Sequence, residues 1–107
     1  MAKGDAPVLE ALADINATSL ERTELDPKSL LLVRLAALVA VDAPVSSYLF
    51  HIGPAAEVGM TLDQAQDVLV AVAPIAGTAR TMSAATKIVE ALGLAIQLAD
   101  QSDAIDN

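Results

Sequence analysis

The chain contains no cysteine and almost no aromatic residues. Without thiols it can form no disulfide, no thiolate metal site and no thiol redox intermediate. Tyr48 and Phe50 are its only aromatic residues, while alanine, leucine and valine dominate and rarely alternate with polar residues. This composition is typical of helices packed through small side chains, and it predicts an all-α fold.

Basic residues and long apolar runs are also scarce. The 6 Lys and Arg face 14 Asp and Glu, for a net charge of −8, which opposes binding to nucleic acid and to anionic membranes. A membrane-spanning helix needs about 20 nearly uninterrupted apolar residues, whereas the longest runs, 35–41 and 68–77, are short and flanked by charges. Residues 1–12 lack the apolar core of a secretory signal. We therefore expect a cytoplasmic protein with no nucleic-acid or membrane partner.

Apolar residues, in contrast, are in excess. They make up 54% of the 107 residues, and the mean hydropathy is +0.52. The length suits a single domain, 1–107, and a domain of this size buries only somewhat more than roughly 60% of its unfolded surface. The segment from Leu30 to Val41 is apolar in every helical direction except at Arg34. One copy cannot easily surround such a helix, so we expect a symmetric homo-oligomer.

Capping signals divide the chain into about five helices. Asp26 and Asp42 each precede a proline in the pattern of an N-cap, and Thr61 with Gln64 forms a capping box. Gly59 is a predicted helix end. The predicted ranges, in chain order, are 8–20, 27–41, a third helix opened by 42–44, 62–73 and 79–98.

Proline and glycine should interrupt several of these helices. Gly53-Pro54 should kink or break the third helix, because proline removes the hydrogen bond to the Phe50 carbonyl. Pro74 and Gly77 should close the fourth, and Gly93 is a candidate break in the fifth. The acidic tail 100–107 should be frayed.

The ordered set of motifs resembles a known family. The motifs are Leu-Asp-Pro-Lys at 25–28, Ala-Ala-Leu-Val-Ala at 36–40, His51, Ala-Ala at 55–56, Gly59 and Ala-Pro-Ile-Ala-Gly at 73–77. Together they resemble the carboxymuconolactone decarboxylase family, which includes the AhpD-like thiol peroxidases, over about residues 25–92. The resemblance implies an all-α subunit that assembles into homotrimers or homohexamers.

The resemblance does not carry over the family's peroxidase chemistry. In that branch two cysteines precede the histidine, and a glutamate lies on the preceding helix. Pro44 and Ser47 stand at the cysteine positions here, Leu31 or Leu32 stands at the glutamate position, and only His51 remains. Serine cannot replace the redox thiolate, so thiol peroxidase activity is not expected.

The decarboxylase branch is matched no better. It carries a glutamate shortly after the proline and a second histidine on a later helix, positions that correspond approximately to Ser46 and Ala71. Both acid–base groups are therefore replaced, and decarboxylation of the family's standard substrate is not expected.

His51 is the candidate catalytic residue, because its unperturbed pKa lies near neutrality. Ser47 and Tyr48 precede it by one turn of the same helix and are candidate ligand-binding residues. Arg34 or Arg80 could anchor a carboxylate, because a guanidinium matches its geometry. The plainer alternatives are a structural, hydrogen-bonded His51 and arginines that extend to solvent or pair with carboxylates. A lone histidine cannot fill a metal coordination shell within one chain, so no metal and no cofactor is expected.

Two functions stay open from the sequence. One is a family-like protein that binds a small carboxylate, or catalyses a decarboxylase- or lyase-type reaction, centred on His51. The other is a catalytically silent oligomeric building block, natural or engineered for assembly. The sequence names no substrate.

Overall fold

The computed structural model describes residues 2–106, with side chains described for residues 6–101. Over residues 2–106 the backbone forms five helices and no strand, which confirms the predicted all-α fold. In chain order the helices are α1 Ala2–Arg22, α2 Pro27–Ala40, α3 Val45–Glu57, α4 Leu62–Ala76 and α5 Thr78–Asp106.

The start of α2 follows the predicted capping pattern, but the start of α3 does not. Asp26 caps α2, and its carboxylate accepts a hydrogen bond from the Ser29 amide at 3.1 Å. The N-cap of α3 is Pro44, without a side-chain cap, so the prediction that Asp42 caps α3 was wrong. Asp42 instead ends α2 in a left-handed conformation, with φ +52°. Its amide donates to the Val39 carbonyl, in the position that glycine usually takes at a helix end.

The junction between α3 and α4 confirms two predictions. Gly59, with φ +76°, ends α3, and the Met60 amide donates to the Ala55 carbonyl at 2.9 Å. Thr61 and Gln64 then form the reciprocal capping box that opens α4. Because both ends are capped within a few residues, the turn between the two helices is short and well defined.

Neither helix breaks at its proline. α3 continues through Pro54 to Glu57, and α4 continues through Pro74 to Ala76, so the predicted break at Pro54 and the predicted end at Pro74 were wrong, whereas Gly77 closes α4 as predicted. Both prolines lie on exposed helix faces, as do Phe50 and Val70, whose carbonyls the prolines leave without a helical donor. Water can hydrogen-bond to a carbonyl on an exposed face, so the helix can continue past it.

The fifth helix is longer than predicted. It begins directly after Gly77, runs through Gly93 without a break and reaches Asp106. The tail 100–106 is therefore helical rather than a separate frayed segment, and Asn107 lies outside the described residues.

The core lies within a bundle of α2 to α5. α3 packs against α5, and α2 packs against α4 and α3. The most buried positions combine one tyrosine with aliphatic and small residues: Leu35, Val39, Ala43, Tyr48, Ala84 and Ala91. The small alanines on α5 allow the neighbouring helices to approach closely, in line with the chain's alanine-rich composition.

The first helix stands apart from this bundle. Between residues 2 and 106, no α1 Cα lies within 8 Å of a Cα in another helix. Every α1 side chain described from residue 6 onward is exposed, including the predicted apolar stripe of Val8, Leu9, Leu12 and Ile15. The Cα radius of gyration is 15.3 Å, larger than the roughly 13 Å of a compact domain of this length.

One helix has the length and composition of a membrane span, against the expectation from the sequence. The segment Thr78–Gln101 has 24 residues, and an 18-residue stretch within it has a mean hydropathy of 1.3. It also places Ala84 and Ala91 in the core, carries Arg80 in its first turn and carries Lys87 and Glu90 in its middle. Mostly buried core helices of soluble proteins pass the same test, whereas 11% of the apolar stretch is buried here. One such helix is weak evidence for a membrane, and cytoplasmic location stays a prediction.

Candidate functional site

His51 lies on α3 and faces α2. Its ring Nε2 is 3.0 Å from the backbone carbonyl oxygen of Leu31, and the side chain is half-buried. A carbonyl can only accept, so Nε2 carries the proton of this hydrogen bond. In the neutral ring the lone pair is therefore on Nδ1. His51 thus makes the hydrogen bond expected of a structural residue. Its second ring nitrogen, Nδ1, is still available to accept a proton.

Burial lowers the pKa of His51, chiefly because it removes water from the charged form. The hydrogen bond to Leu31 opposes this effect, and the nearby positive charge of Arg34 adds to it. The imidazole is therefore neutral at pH 7 and can accept a proton or a hydrogen bond at Nδ1.

A groove runs between α1, α2 and α3 on one side of His51. Its volume is about 520 Å³, and we name it the Arg34 groove. Arg34, Ser47 and His51 all line it, so three of the five predicted site residues share one surface. Its remaining lining is mainly apolar: Asn16, Leu20, Leu31, Ala37, Leu38, Phe50 and Pro54.

The guanidinium of Arg34 connects α1 to the rest of the chain. Nη1 donates to the Asn16 side-chain oxygen at 2.7 Å, and Nη2 donates to the Ser19 hydroxyl at 3.1 Å. Among the side chains of residues 6–101, Arg34 pairs with no carboxylate, and Lys87 with Asp42 is the only ion pair. A half-buried cation thus faces the groove with neutral partners alone.

Tyr48 points to a different space from its neighbour Ser47. It lines a smaller cavity of about 240 Å³, formed by α2 to α5, which we name the Tyr48 cavity. The Tyr48 side chain is 2% exposed, and its hydroxyl has no hydrogen-bond partner among the described residues. Burial, with a smaller effect from the negative charge of Asp42, raises the pKa of Tyr48, so the hydroxyl is a donor at neutral pH. His51 lines both spaces.

Arg80 lies in neither space. Its Nη1 donates to the Ala40 carbonyl at 2.8 Å, at the end of α2. Beside it, Asp42 accepts hydrogen bonds from Lys87 and Ser83, both at 2.9 Å. These two bonds lower the pKa of Asp42. Arg80 therefore belongs to a polar cluster that ties α5 to the end of α2, away from His51.

Sequence reasoning missed the residues that hold the predicted ones in place. Asn16 and Ser19 fix the Arg34 side chain, and the Leu31 carbonyl fixes the His51 ring. Asn16 and Ser19 interrupt the apolar stripe of α1, and this interruption could have indicated a polar partner such as Arg34. The partner in the second contact is a backbone carbonyl, which leaves no mark in the sequence. In the part of the chain with described side chains, no three His, Cys, Asp or Glu residues lie close enough to hold a metal ion.

A comparison against protein families identifies the family of this chain. The model of the carboxymuconolactone decarboxylase family matches residues 6–91. The chain belongs to this family, as the sequence motifs indicated. The match begins before the predicted 25–92 and includes most of α1. No curated protein and no solved structure matched the chain.

Proposed function

We propose that the Arg34 groove binds a small carboxylate. The observation that carries this proposal is the placement of the Arg34 guanidinium, which has no carboxylate partner among residues 6–101, in the same groove as His51. A guanidinium forms charge-assisted, often bidentate hydrogen bonds with a carboxylate. The apolar groove walls would contact the rest of the ligand, an arrangement that is usual for small-molecule sites.

His51 and Ser47 would orient and process the ligand. The neutral ring of His51 has Nδ1 available as a base, and the Ser47 hydroxyl can donate or accept a hydrogen bond. In a lyase-type reaction Nδ1 would take a proton from a ligand carbon, the C–H electron pair would form the new double bond, and the imidazolium would return the proton to the leaving group as it departs. In a decarboxylation the C–C electron pair would stay on the ligand carbon as CO2 leaves, and that carbon would take up a proton that Nδ1 had accepted from water. Family membership supports this class of chemistry, and the replaced cysteine and glutamate positions argue for a reaction unlike those of the two known branches.

The carboxylate site can be tested by titration with benzoate and short aliphatic carboxylates, monitored by calorimetry and by the NMR signals of His51. Arg34→Gln should weaken binding at least tenfold, because it removes the positive charge. Arg80→Gln is the matched control and should leave the affinity unchanged. Equal effects of the two substitutions would contradict the proposal.

His51→Asn separates binding from chemistry at the same site. Asparagine can keep one hydrogen bond but cannot exchange a proton near neutral pH. Any turnover should be lost while assembly and melting temperature stay nearly unchanged. Early melting or dissociation, with ligand binding intact, would assign His51 a structural role only.

A second candidate function is that of an oligomeric building block, and the surface area favours it. The isolated chain exposes 7450 Å², against roughly 5,600 Å² for a compact monomer of this mass. Large apolar side chains contribute to this surface on every helix, and Ile75 is 88% exposed. Large exposed apolar surfaces often mark contacts between molecules, so this exposure supports self-association, and the family resemblance implies a homotrimer or homohexamer.

Light scattering coupled to size exclusion tests the assembly directly. A mass of three or six times 11.0 kDa would support it, and a stable monomer at micromolar concentration would refute it. Assembly without any carboxylate binding would favour the building-block function over the binding function.

A further inference from the structure

The helix α5 carries a row of exposed residues on the side that faces away from the core. On the opposite side of the same helix, Ala84 and Ala91 are buried. The exposed residues alternate in spacing between four and three, which keeps them on one face where a second helix can pack. We name them the α5 row: Met82, Thr86, Val89, Gly93 and Ile96. The chain itself leaves this packing surface uncovered.

Large and small residues alternate along the α5 row. Gly93 lies between Val89 and Ile96, and a Cβ placed on Gly93 would meet no atom within 4 Å. Thr86 separates Met82 from Val89 in the same way. Small positions on a helix form depressions that receive the bulky side chains of a partner helix. The α5 row therefore suits a partner helix with bulky residues at a similar spacing.

The helix α1 carries bulky residues at this spacing. Val8, Leu12 and Ile15, which we name the α1 row, belong to its apolar stripe and are exposed. The charged residues of the same stretch, Glu10 and Asp14, lie on the opposite side of the helix. Neither row contains a charged residue. The two rows can therefore pack together without burying an unpaired charge.

The two rows do not meet within one chain. Among the described residues, no Cα of α1 lies within 8 Å of a Cα of α5. Arg34 also binds Asn16 and Ser19, which follow the α1 row, and so holds this end of α1 beside α2. A second copy of the chain can bring the missing partner to each row.

The exposed area matches two contact surfaces on each chain. The 7450 Å² that one chain exposes exceeds the roughly 5,600 Å² of a compact monomer by about 1,850 Å². A standard interface buries roughly 800 Å² on each partner, so a subunit with two neighbours buries about 1,600 Å². A two-fold dimer with one interface would cover only about half of the excess. The area therefore favours two neighbours for each chain.

From these observations we propose that the α1 row of one copy packs against the α5 row of the next copy. Each chain then uses two different surfaces, and contacts of this head-to-tail kind close into a ring. The proposal rests on the self-association proposed above and names the two surfaces that produce it.

A mixing experiment distinguishes this contact from pairing of like surfaces. Ile15→Asp disables the α1 row, and Val89→Asp disables the α5 row. Each variant alone should be a monomer, because every contact needs both rows. An equimolar mixture should give a dimer of about twice 11.0 kDa and nothing larger, since one intact α1 row meets one intact α5 row. Gln101→Asp adds the same charge at an exposed position of α5 outside the row and should leave the assembly unchanged.

The other outcomes of the mixing experiment separate the two proposals. A monomeric unmodified chain would refute self-association and this contact together. If the unmodified chain assembles, a dimer formed by either variant alone, or no dimer in the mixture, would refute the α1–α5 contact and leave self-association standing. Circular dichroism checks that each variant stays helical.

Cross-linking provides an independent test, because the chain has no cysteine of its own. Leu12→Cys and Val89→Cys place one thiol in the middle of each row, so the thiols meet whichever way the helices run. An oxidised-glutathione mixture of the two variants, one of them isotope-labelled, should give the mixed disulfide by mass spectrometry. Ala17→Cys, on the other side of α1, should not cross-link to Val89→Cys. Disulfides between identical variants only would overturn the proposal.

Discussion

The bundle of α2 to α5 buries its apolar residues within the chain, whereas α1 leaves its apolar residues exposed. The bundle buries Leu35, Val39 and Tyr48 almost completely. α1 carries an equally clear apolar stripe, yet leaves it exposed and contacts α2 through the polar side chains around Arg34. An amphipathic pattern therefore indicates that a face will be covered, but does not indicate by which molecule. In the bundle the cover comes from the same chain, and for α1 we expect it to come from another copy.

The largest effect should come from placing a charge on the exposed stripe of α1. Ile15→Asp puts a carboxylate in a surface that we expect to be buried between subunits, where an unpaired charge is strongly unfavourable. The assembly should dissociate, and light scattering should report the 11.0 kDa monomer. Ala17→Asp changes an exposed position on the opposite side of the same helix and should leave the assembly intact. An unchanged mass for Ile15→Asp would show that the stripe is not an interface.

Truncation of a bundle side chain should have the next largest effect. Leu35 is 4% exposed, and Leu35→Ala should lower the free energy of unfolding by about 2–5 kcal/mol, because it removes buried methyl groups and leaves a cavity. Val33→Ala on the same helix, at an exposed position, should cost under about 1 kcal/mol. Urea unfolding in the Ile15→Asp background measures both without subunit contacts. Similar costs for the two variants would contradict the described core.

Replacement of Arg34 should have a smaller effect, limited to the local stability of α1. Arg34→Met removes both hydrogen bonds to α1, so amide hydrogen exchange in residues 6–22 should accelerate by more than roughly fivefold, the effect expected for one net hydrogen bond. Exchange in α2 to α5 should change little. Arg80→Met removes a different arginine contact, to the Ala40 carbonyl, and should leave α1 unaffected. Faster exchange throughout the Arg34→Met variant would show that α1 and the bundle unfold together.

The smallest effect concerns pH at the boundary between the two regions. Burial lowers the pKa of His51 below the 6.5 of an unperturbed imidazole, so the folded chain binds this proton less readily than the unfolded chain. The contribution of His51 to stability is thus retained above pH 6.5 and decreases as the pH falls through 6.5 towards the folded pKa. NMR titration measures the pKa, and His51→Asn should remove this part of the pH dependence. A pKa above 6.5 would contradict the described burial.

Local backbone chemistry explains which parts of the fold were predictable. Asp26 and Thr61 cap their helices as predicted because a cap depends on residues within one turn. The predicted breaks at the prolines were wrong because the cost of a lost helical hydrogen bond is small where water can bond to the free carbonyl. Pro54 and Pro74 leave unbonded carbonyls on exposed faces, and the sequence does not show which faces those are.

The candidate site was predictable only in part for a related reason. Ser47 and His51 share a helix, so their proximity follows from spacing alone. The approach of Arg34 to His51 depends on how α2 packs against α3, and the separation of Arg80 depends on how α5 meets the end of α2. Adjacent positions can also diverge, since Ser47 and Tyr48 line different spaces. Sequence spacing gives the direction in which each side chain leaves the helix axis. The packing of the neighbouring helices determines which residues or cavities that side chain meets.

The bonds from Arg34 to Asn16 and Ser19 have a consequence for ligand binding. A carboxylate that takes the same N–H groups competes with α1, so the free energy of α1 attachment is subtracted from the free energy of binding. The two effects are reciprocal: α1 attachment lowers the affinity for the ligand by a certain factor, and the bound ligand lowers the equilibrium constant for α1 attachment by the same factor. Because the apolar stripe continues along the same helix, occupancy of the groove and subunit exchange would be energetically coupled through a single guanidinium.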